Sequence, residues 1–179
     1  PKNSFRAICI FILPWITGLW LTPQLQTDHA QSLDVAVVQP NIHLSQKRKP
    51  GSIQKNIASL LDDSRSAIDN HVDLVIWPES SIASYVLQGN NYYLKLIQGE
   101  LKESKLIAGI PYYTGEEPER EFYNSAVLIQ ADSIQNVYNK IQLVPMAEYI
   151  PLSDFFPSLK KLNLGQANFN HGTDFTIMD

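Results

Sequence analysis

The sequence predicts an α/β domain whose first strands run parallel, with an apolar helix ahead of it. Three observations carry this reading. Short aliphatic or β-branched runs, such as Asp34–Gln39 and Leu74–Trp77, are bounded by Pro or polar turns. Between them, Ser52–Asn70 places Ile53, Ile57, Leu60, Leu61 and Ile68 at helical spacing. Strand, helix, strand in this order argues for a right-handed crossover and parallel neighbours.

Asp34–Gln39 is the first strand, ended by Pro40–Asn41. Ser52–Asn70 is a helix with Ser52 at its N-cap. His71–Trp77 is the second strand, and its apolar core, Leu74 to Trp77, reads as buried on both faces. Asn91–Glu103 is a second helix, facing Leu94, Ile97 and Leu101 inward. Lys105–Pro111 is a third strand. Gly115–Arg120 is charged and forms an exposed turn. Phe122–Gln130 and Ser133–Lys140 are two further strands, an antiparallel pair added to the sheet.

The domain is organised around Asp73–Ser81, D-L-V-I-W-P-E-S-S. Pro78 ends the strand because it has no N–H to donate and its φ is fixed. Glu79 follows at once. A carboxylate at the mouth of a buried strand stands where α/β enzymes place chemistry, and partial burial there would make it a better base. A solvated Glu in a turn is the alternative.

The chain has 179 residues, 44% of them hydrophobic, enough for one domain with a sizeable core. A net charge of −4 gives no basic surplus for nucleic acid. The single cysteine, Cys9, excludes a disulfide within the chain, and no Cys/His spacing points to a metal. The four histidines, His29, His43, His71 and His171, are scattered outside any motif and read as surface or loop positions. Pro1 is not an initiator Met, so the chain reads as a processed product or a piece of a longer protein, and the piece is the favoured reading.

Ala7–Leu21 carries no charge along its length. As a helix it would be about 22 Å long, short of the ~30 Å hydrocarbon core of a bilayer. Phe5 and a snorkelling Arg6, or residues upstream, could extend it. Lys2 and Arg6 flank its start and Trp15 and Trp20 lie toward its end, which points to a membrane helix entering from the cytoplasmic side. A signal peptide would need an initiator Met and a better cleavage site than His29–Ala30. Pro14 and Gly18 suit a membrane helix better than a soluble core helix. The reading is therefore a transmembrane helix over 1–22, a polar linker over 23–33 and a domain over 34–179. The basic loop Leu44–Gly51, with Lys47, Arg48 and Lys49, is either solvated or in contact with anionic headgroups.

Tyr138–Leu152, Y-N-K-I-Q-L-V-P-M-A-E-Y-I-P-L, has no period and reads as an ordered loop holding Glu148 between Pro145 and Pro151. Together with the earlier stretch it carries a resemblance. The chain resembles the nitrilase superfamily and looks most like its membrane-bound branch, the apolipoprotein N-acyltransferases. The matching residues are W-P-E-S at Trp77–Ser80, Y-N-K at Tyr138–Lys140, L-V-P-M-A-E-Y-I-P-L at Leu143–Leu152, and the strand Val35–Gln39 with Pro40–Asn41. Members usually carry Phe-Gly where Met146 and Ala147 stand here. The match runs from Asp34 to the C-terminus, and the apolar run ahead of it fits the last helix of a membrane bundle.

The resemblance implies an incomplete nitrilase-like α-β-β-α sandwich behind a transmembrane helix, on the outer side of the bacterial inner membrane. It implies an acyl chain moved from a phospholipid donor, through a cysteine thioester, to the amine of a diacylglyceryl-cysteine apolipoprotein, without a cofactor. Glu79 would be the general base, Lys140 would face the developing oxyanion, and Glu148 would orient Lys140 or the incoming amine. The nucleophilic cysteine would follow the strand expected at Phe175–Met178, beyond Asp179, so the fragment by itself would be inactive. Phe155, Phe156, Pro157 and Leu159 read as core packing or as a lid touching the bilayer. Asn163–Gly172 reads as a mobile loop beside the site. A soluble amidase or nitrilase, and a non-catalytic membrane-tethered module, are the other readings. A polar sequence upstream would favour the first, and a downstream region without a strand-end cysteine the second.

Overall fold

The computed structural model describes residues 2–22, 32–43, 51–88, 92–153, 155–156, 158–159 and 167–178. The chain divides into two compact units, Pro1–Ser32 and Leu33–Asp179. The basic residues Lys47, Arg48 and Lys49, and most of the expected linker, lie outside the described residues.

The first unit holds one helix, α1 (Lys2–Leu21), with Pro14 inside it. Pro14 has no N–H for the ladder. Nearby hydroxyls add bonds of their own: Thr17 Oγ1 donates to the carbonyls of Leu13 and Pro14, each at 3.0 Å. Among the described residues no helix is long and apolar enough to cross a membrane, so the expected transmembrane helix is not shown.

The second unit is a five-stranded mixed sheet in the order β1-β2-β3-β4-β5. The strands are β1 (Val35–Val37), β2 (Leu74–Ile76), β3 (Lys105–Thr114), β4 (Glu121–Ile129) and β5 (Ile134–Asn139). The first three run parallel and the last two antiparallel. Helix α2 (Ser52–Asp69) joins β1 to β2, and α3 (Tyr92–Leu101) joins β2 to β3. This is the α/β arrangement expected, with each strand within a few residues of its predicted bounds.

The core lies between the two helices and one face of the sheet. Ile57, Leu60 and Ile68 from α2 and Leu94, Ile97 and Leu101 from α3 meet Val75, Leu106, Ile110 and Val127. Each such side chain, fully buried, contributes about 1.5–3 kcal/mol. One polar link crosses this core. Trp77 Nε1 donates to Ser64 Oγ at 2.9 Å, and Ser64 Oγ donates to the Leu60 carbonyl at 2.6 Å. The indole is thereby satisfied and the end of β2 is fastened to α2.

Four expectations need correction. Ser52 is not the N-cap: Gly51 takes that place at φ 77°, without a side-chain cap, because the chain enters α2 through a left-handed turn. Leu74 and Ile76 are only half-buried, and Val35 and Val37 are exposed, because the helices cover one face of the sheet. Phe175–Met178 is not a strand; Asn136 Nδ2 donates to the Ile177 carbonyl at 2.8 Å, a side-chain contact in place of a ladder. Phe155 and Phe156 are not in the core, at 80% and 59% exposed, because the turn after Leu152 aims them outward.

Candidate active site

Three side chains singled out in the sequence meet at one end of the sheet. The first arrives from β2. Trp77 N donates to the Ile107 carbonyl at 2.9 Å, and Pro78 then ends the pairing. The chain turns over β3 at Glu79–Ser80, where Ser80 takes a positive φ of 51°. Ser81 Oγ and Ile82 N both donate to the Gly109 carbonyl, at 3.1 and 3.2 Å. The close approach requires glycine. A Cβ on Gly109 would stand 2.5 Å from Ser80 N and 2.7 Å from Glu79 Cα.

The second arrives from the end of β5. Lys140 N donates to the Asn124 carbonyl of β4 at 2.8 Å, which continues the ladder one step past Asn139. Its Nζ lies 2.9 Å from Glu79 Oε1 and 3.1 Å from the Glu148 carboxylate.

The third sits in the loop that follows. Glu148 N donates to the Val144 carbonyl at 2.9 Å, and Val144 N donates to Glu148 Oε2 at 2.7 Å. The loop closes on itself with Met146 N donating to the Tyr149 carbonyl at 2.8 Å. Its positive φ, 66°, falls on Met146. Ala147 therefore sits in the loop without strain, since position 147 needs no left-handed backbone.

Burial divides unequally among the three. The Glu79 side chain is 60% exposed, Lys140 27% and Glu148 14%. The partial burial expected at Glu79 is found at Glu148 instead. Desolvation opposes the charge on Lys140, but the hydrogen bonds it donates to Glu79 and Glu148, with their negative charge, outweigh it and lift its pKa above the ordinary value. Burial likewise opposes the charge on Glu148. The Val144 N–H, the Asn124 amide and Lys140 outweigh it and hold the carboxyl below its usual range.

Sequence reasoning missed Asn124. It is buried in β4, and Nδ2 donates to Glu79 Oε1 at 2.5 Å and to Glu148 Oε1 at 2.7 Å. The available signal was an Asn in the middle of a strand, a residue type that strands disfavour. Of the loop expected at Asn163–Gly172, residues 163–166 lie outside the described residues, and 167–172 differ from the expectation. Far from loose, they are tied to the site by Ala167 N to the Ala147 carbonyl, Phe169 N to that of Glu148 and Gly172 N to that of Lys140, at 3.1, 2.8 and 3.0 Å. His171 belongs to this strap: its Nδ1 is 2.8 Å from the Ile141 carbonyl and its ring packs edge-on to Tyr149. Cys9 is an exposed residue of α1.

Residues 34–175 match the sequence profile of the carbon-nitrogen hydrolases. The chain belongs to the carbon-nitrogen hydrolase family. This carbon-nitrogen hydrolase chain is 30% identical to the apolipoprotein N-acyltransferase of Pseudomonas putida, over 97% of this chain and 35% of that protein. It is 31% identical to the apolipoprotein N-acyltransferase of Geobacter metallireducens, over 81% of this chain and 28% of that protein. It thus spans about a third of the length of the curated relatives it matches. A solved amidase of the nitrilase superfamily from Nesterenkonia aligns at 19% identity and a TM-score of 0.47, over 79% of this chain and 49% of that one.

Proposed function

We propose that this chain is part of an apolipoprotein N-acyltransferase, which moves a fatty acyl chain from a phospholipid to the N-terminal amine of a diacylglyceryl-cysteine lipoprotein. The observation that carries the reading is the contact of Lys140 Nζ with Glu79 and Glu148 at the sheet end. The names of the relatives support this reaction among those open to the family.

In this reading each group has a task. Among the described residues, the side-chain hydrogen bonds to Glu79 come from Asn124 and Lys140 and both fall on Oε1. Oε2 is left to take a proton, and the side chain is open to solvent. In the first step Oε2 removes the proton of a cysteine thiol. The thiolate adds to the ester carbonyl of the phospholipid, and the C–O bond breaks. The proton passes from Glu79 to the departing lysophospholipid alkoxide, leaving a thioester. In the second step the lipoprotein amine adds to the thioester, Glu79 takes its proton, and the C–S bond breaks as the proton returns to sulfur.

Lys140 has three N–H groups, and two point at carboxylates. The third, without an acceptor among the described residues, would face each tetrahedral oxyanion. A donor of this kind is worth about 2.7–4 kcal/mol in other acyl-transfer sites. Glu148, the more buried acid, holds Lys140 in place. The thiol comes from a cysteine beyond this chain, and the chain alone would transfer no acyl group.

Two further parts of the reading concern the surroundings. The half-open outer face of the sheet, with Val35, Val37, Leu74 and Ile76, would take a second sheet and so complete an α-β-β-α sandwich. Helix α1 would be the last helix of a multi-pass bundle in the bacterial inner membrane. With Lys2 and Arg6 at its cytoplasmic start, the catalytic unit would emerge on the far side.

Complementation with the full-length protein tests the reading. Glu79→Gln and Lys140→Ala should each abolish lipoprotein N-acylation in cells lacking their own enzyme. Growth and full acylation with both variants would reject it.

A further inference from the structure

The hydrogen bonds of the site converge on a side chain to which the acid, amine and thiol scheme gives no part. Asn124 is 5% exposed and lies opposite Pro111 in the β3–β4 ladder. One amide nitrogen serves two acids: Nδ2 donates to Glu79 Oε1 at 2.5 Å and to Glu148 Oε1 at 2.7 Å. The backbone carbonyl of the same residue accepts from Lys140 N at 2.8 Å. Asn124 therefore touches every member of the cluster.

Its chemistry suits this place better than any charged residue would. Glu79 and Glu148 carry like charges and share a single ammonium. A second cation could hold them but would compete with Lys140 for both. A carboxylate would repel them. A neutral amide offers two N–H donors on one nitrogen and adds no charge. Occupied on Oε1 by both Asn124 and Lys140, Glu79 has its rotation set and presents Oε2.

We infer that Asn124 is the positioning residue of this site, holding Glu79 so that Oε2 faces the reacting thiol and amine and keeping Glu148 against Lys140. The inference rests on the acyl-transfer reading above. Asn124 touches no substrate in this account; it acts through the two carboxylates. Misplacing a reacting group by about 1 Å is enough to slow catalysis by about 10²-fold.

The test uses the full-length membrane protein in detergent micelles, with a fluorescent phospholipid as donor and a diacylglyceryl-cysteine peptide as acceptor. Asn124→Ala should lower kcat by about 10²-fold with KM for the phospholipid nearly unchanged. Asn124→Asp has almost the same shape but puts a third carboxylate between two others. It should lower kcat and also move the acidic limb of the kcat/KM profile to higher pH by about one pH unit, because like charges oppose ionisation. Should Asn124→Ala fail to fold, the pH profile of Asn124→Asp decides. Near wild-type kcat in both variants, or a loss that follows melting temperature while the pH profile of Asn124→Asp stays in place, overturns the inference. Glu79→Gln and Lys140→Ala are assayed alongside. If these are inactive while the Asn124 variants work, only the inference falls. If these are active, the acyl-transfer reading falls and the inference with it.

Discussion

Lys140 Nζ stands 2.9 Å from Glu79 Oε1 although the two residues are 61 positions apart in the chain. The contact exists because β4 brings the end of β5 beside the turn that leaves β2. It is a partly buried triad rather than a surface pair, since Glu148 completes it. Lys140→Met should destabilise the protein by about 1–3 kcal/mol, between the values for exposed and buried pairs. Adding Glu148→Gln should recover part of that loss, because the double variant leaves one acid fewer without a cation. A double-mutant cycle by urea unfolding measures the coupling.

The same triad sets a pH dependence at each end of the scale. Glu148 has its pKa lowered in the folded protein. Its stabilising effect is present above the unfolded value, 4.5, and is lost as pH falls through the lower folded value. Lys140 has its pKa raised. Its effect is complete below the unfolded value, 10.5, and is lost as pH rises through the higher folded value. Melting temperature should therefore fall on both sides, and Glu148→Gln should flatten the acid side. A Glu148→Gln curve parallel to wild type below pH 5 would contradict this.

Gly109 has a steric duty. A Cβ there would press on Ser80 N and Glu79 Cα, both backbone atoms that cannot swing aside. Gly109→Ala should cost about 1–3 kcal/mol as an overpacked site. It should also displace Glu79 and reduce acyl transfer in the intact protein more than melting temperature alone accounts for. Comparing activity with the folded fraction at one temperature separates the two effects.

Trp77 fastens the strand end to α2 through Ser64. Trp77→Phe removes the indole N–H yet leaves Ser64 bonded to the Leu60 carbonyl. The loss should be about 1 kcal/mol plus a small packing term. Trp77→Ala should cost about 3–5 kcal/mol. Chemical denaturation of the two variants gives the comparison.

The legible parts of the fold were those with a period or a punctuating residue. The stripe Ile57–Leu60–Leu61–Ile68 announced α2, and Pro78 marked where β2 stops and Glu79 begins. The β4–β5 hairpin was visible in two runs joined by the turn around Ala131–Asp132. Other features depended on neighbours distant in the chain. Asn124 looks like a flaw in a strand until Glu79 and Glu148 arrive at its amide. Gly109 looks like a weak point in β3 until the Glu79 turn crosses it. Phe175–Met178 has the composition of a strand, but Phe175 and Ile177 stand exposed. The Asn- and Gly-rich stretch suggested looseness, whereas residues 167–172 are held by backbone bonds to the Lys140 and Glu148 loop.

The most direct measurement of the central idea is thioester formation, read by mass spectrometry of the full-length protein after mixing with phospholipid in the absence of acceptor. Wild type should gain one acyl chain on a cysteine. Glu79→Gln and Lys140→Ala, folded to the same degree, should gain it at least about 10²-fold more slowly. Acylation of both variants at the wild-type rate would contradict the account.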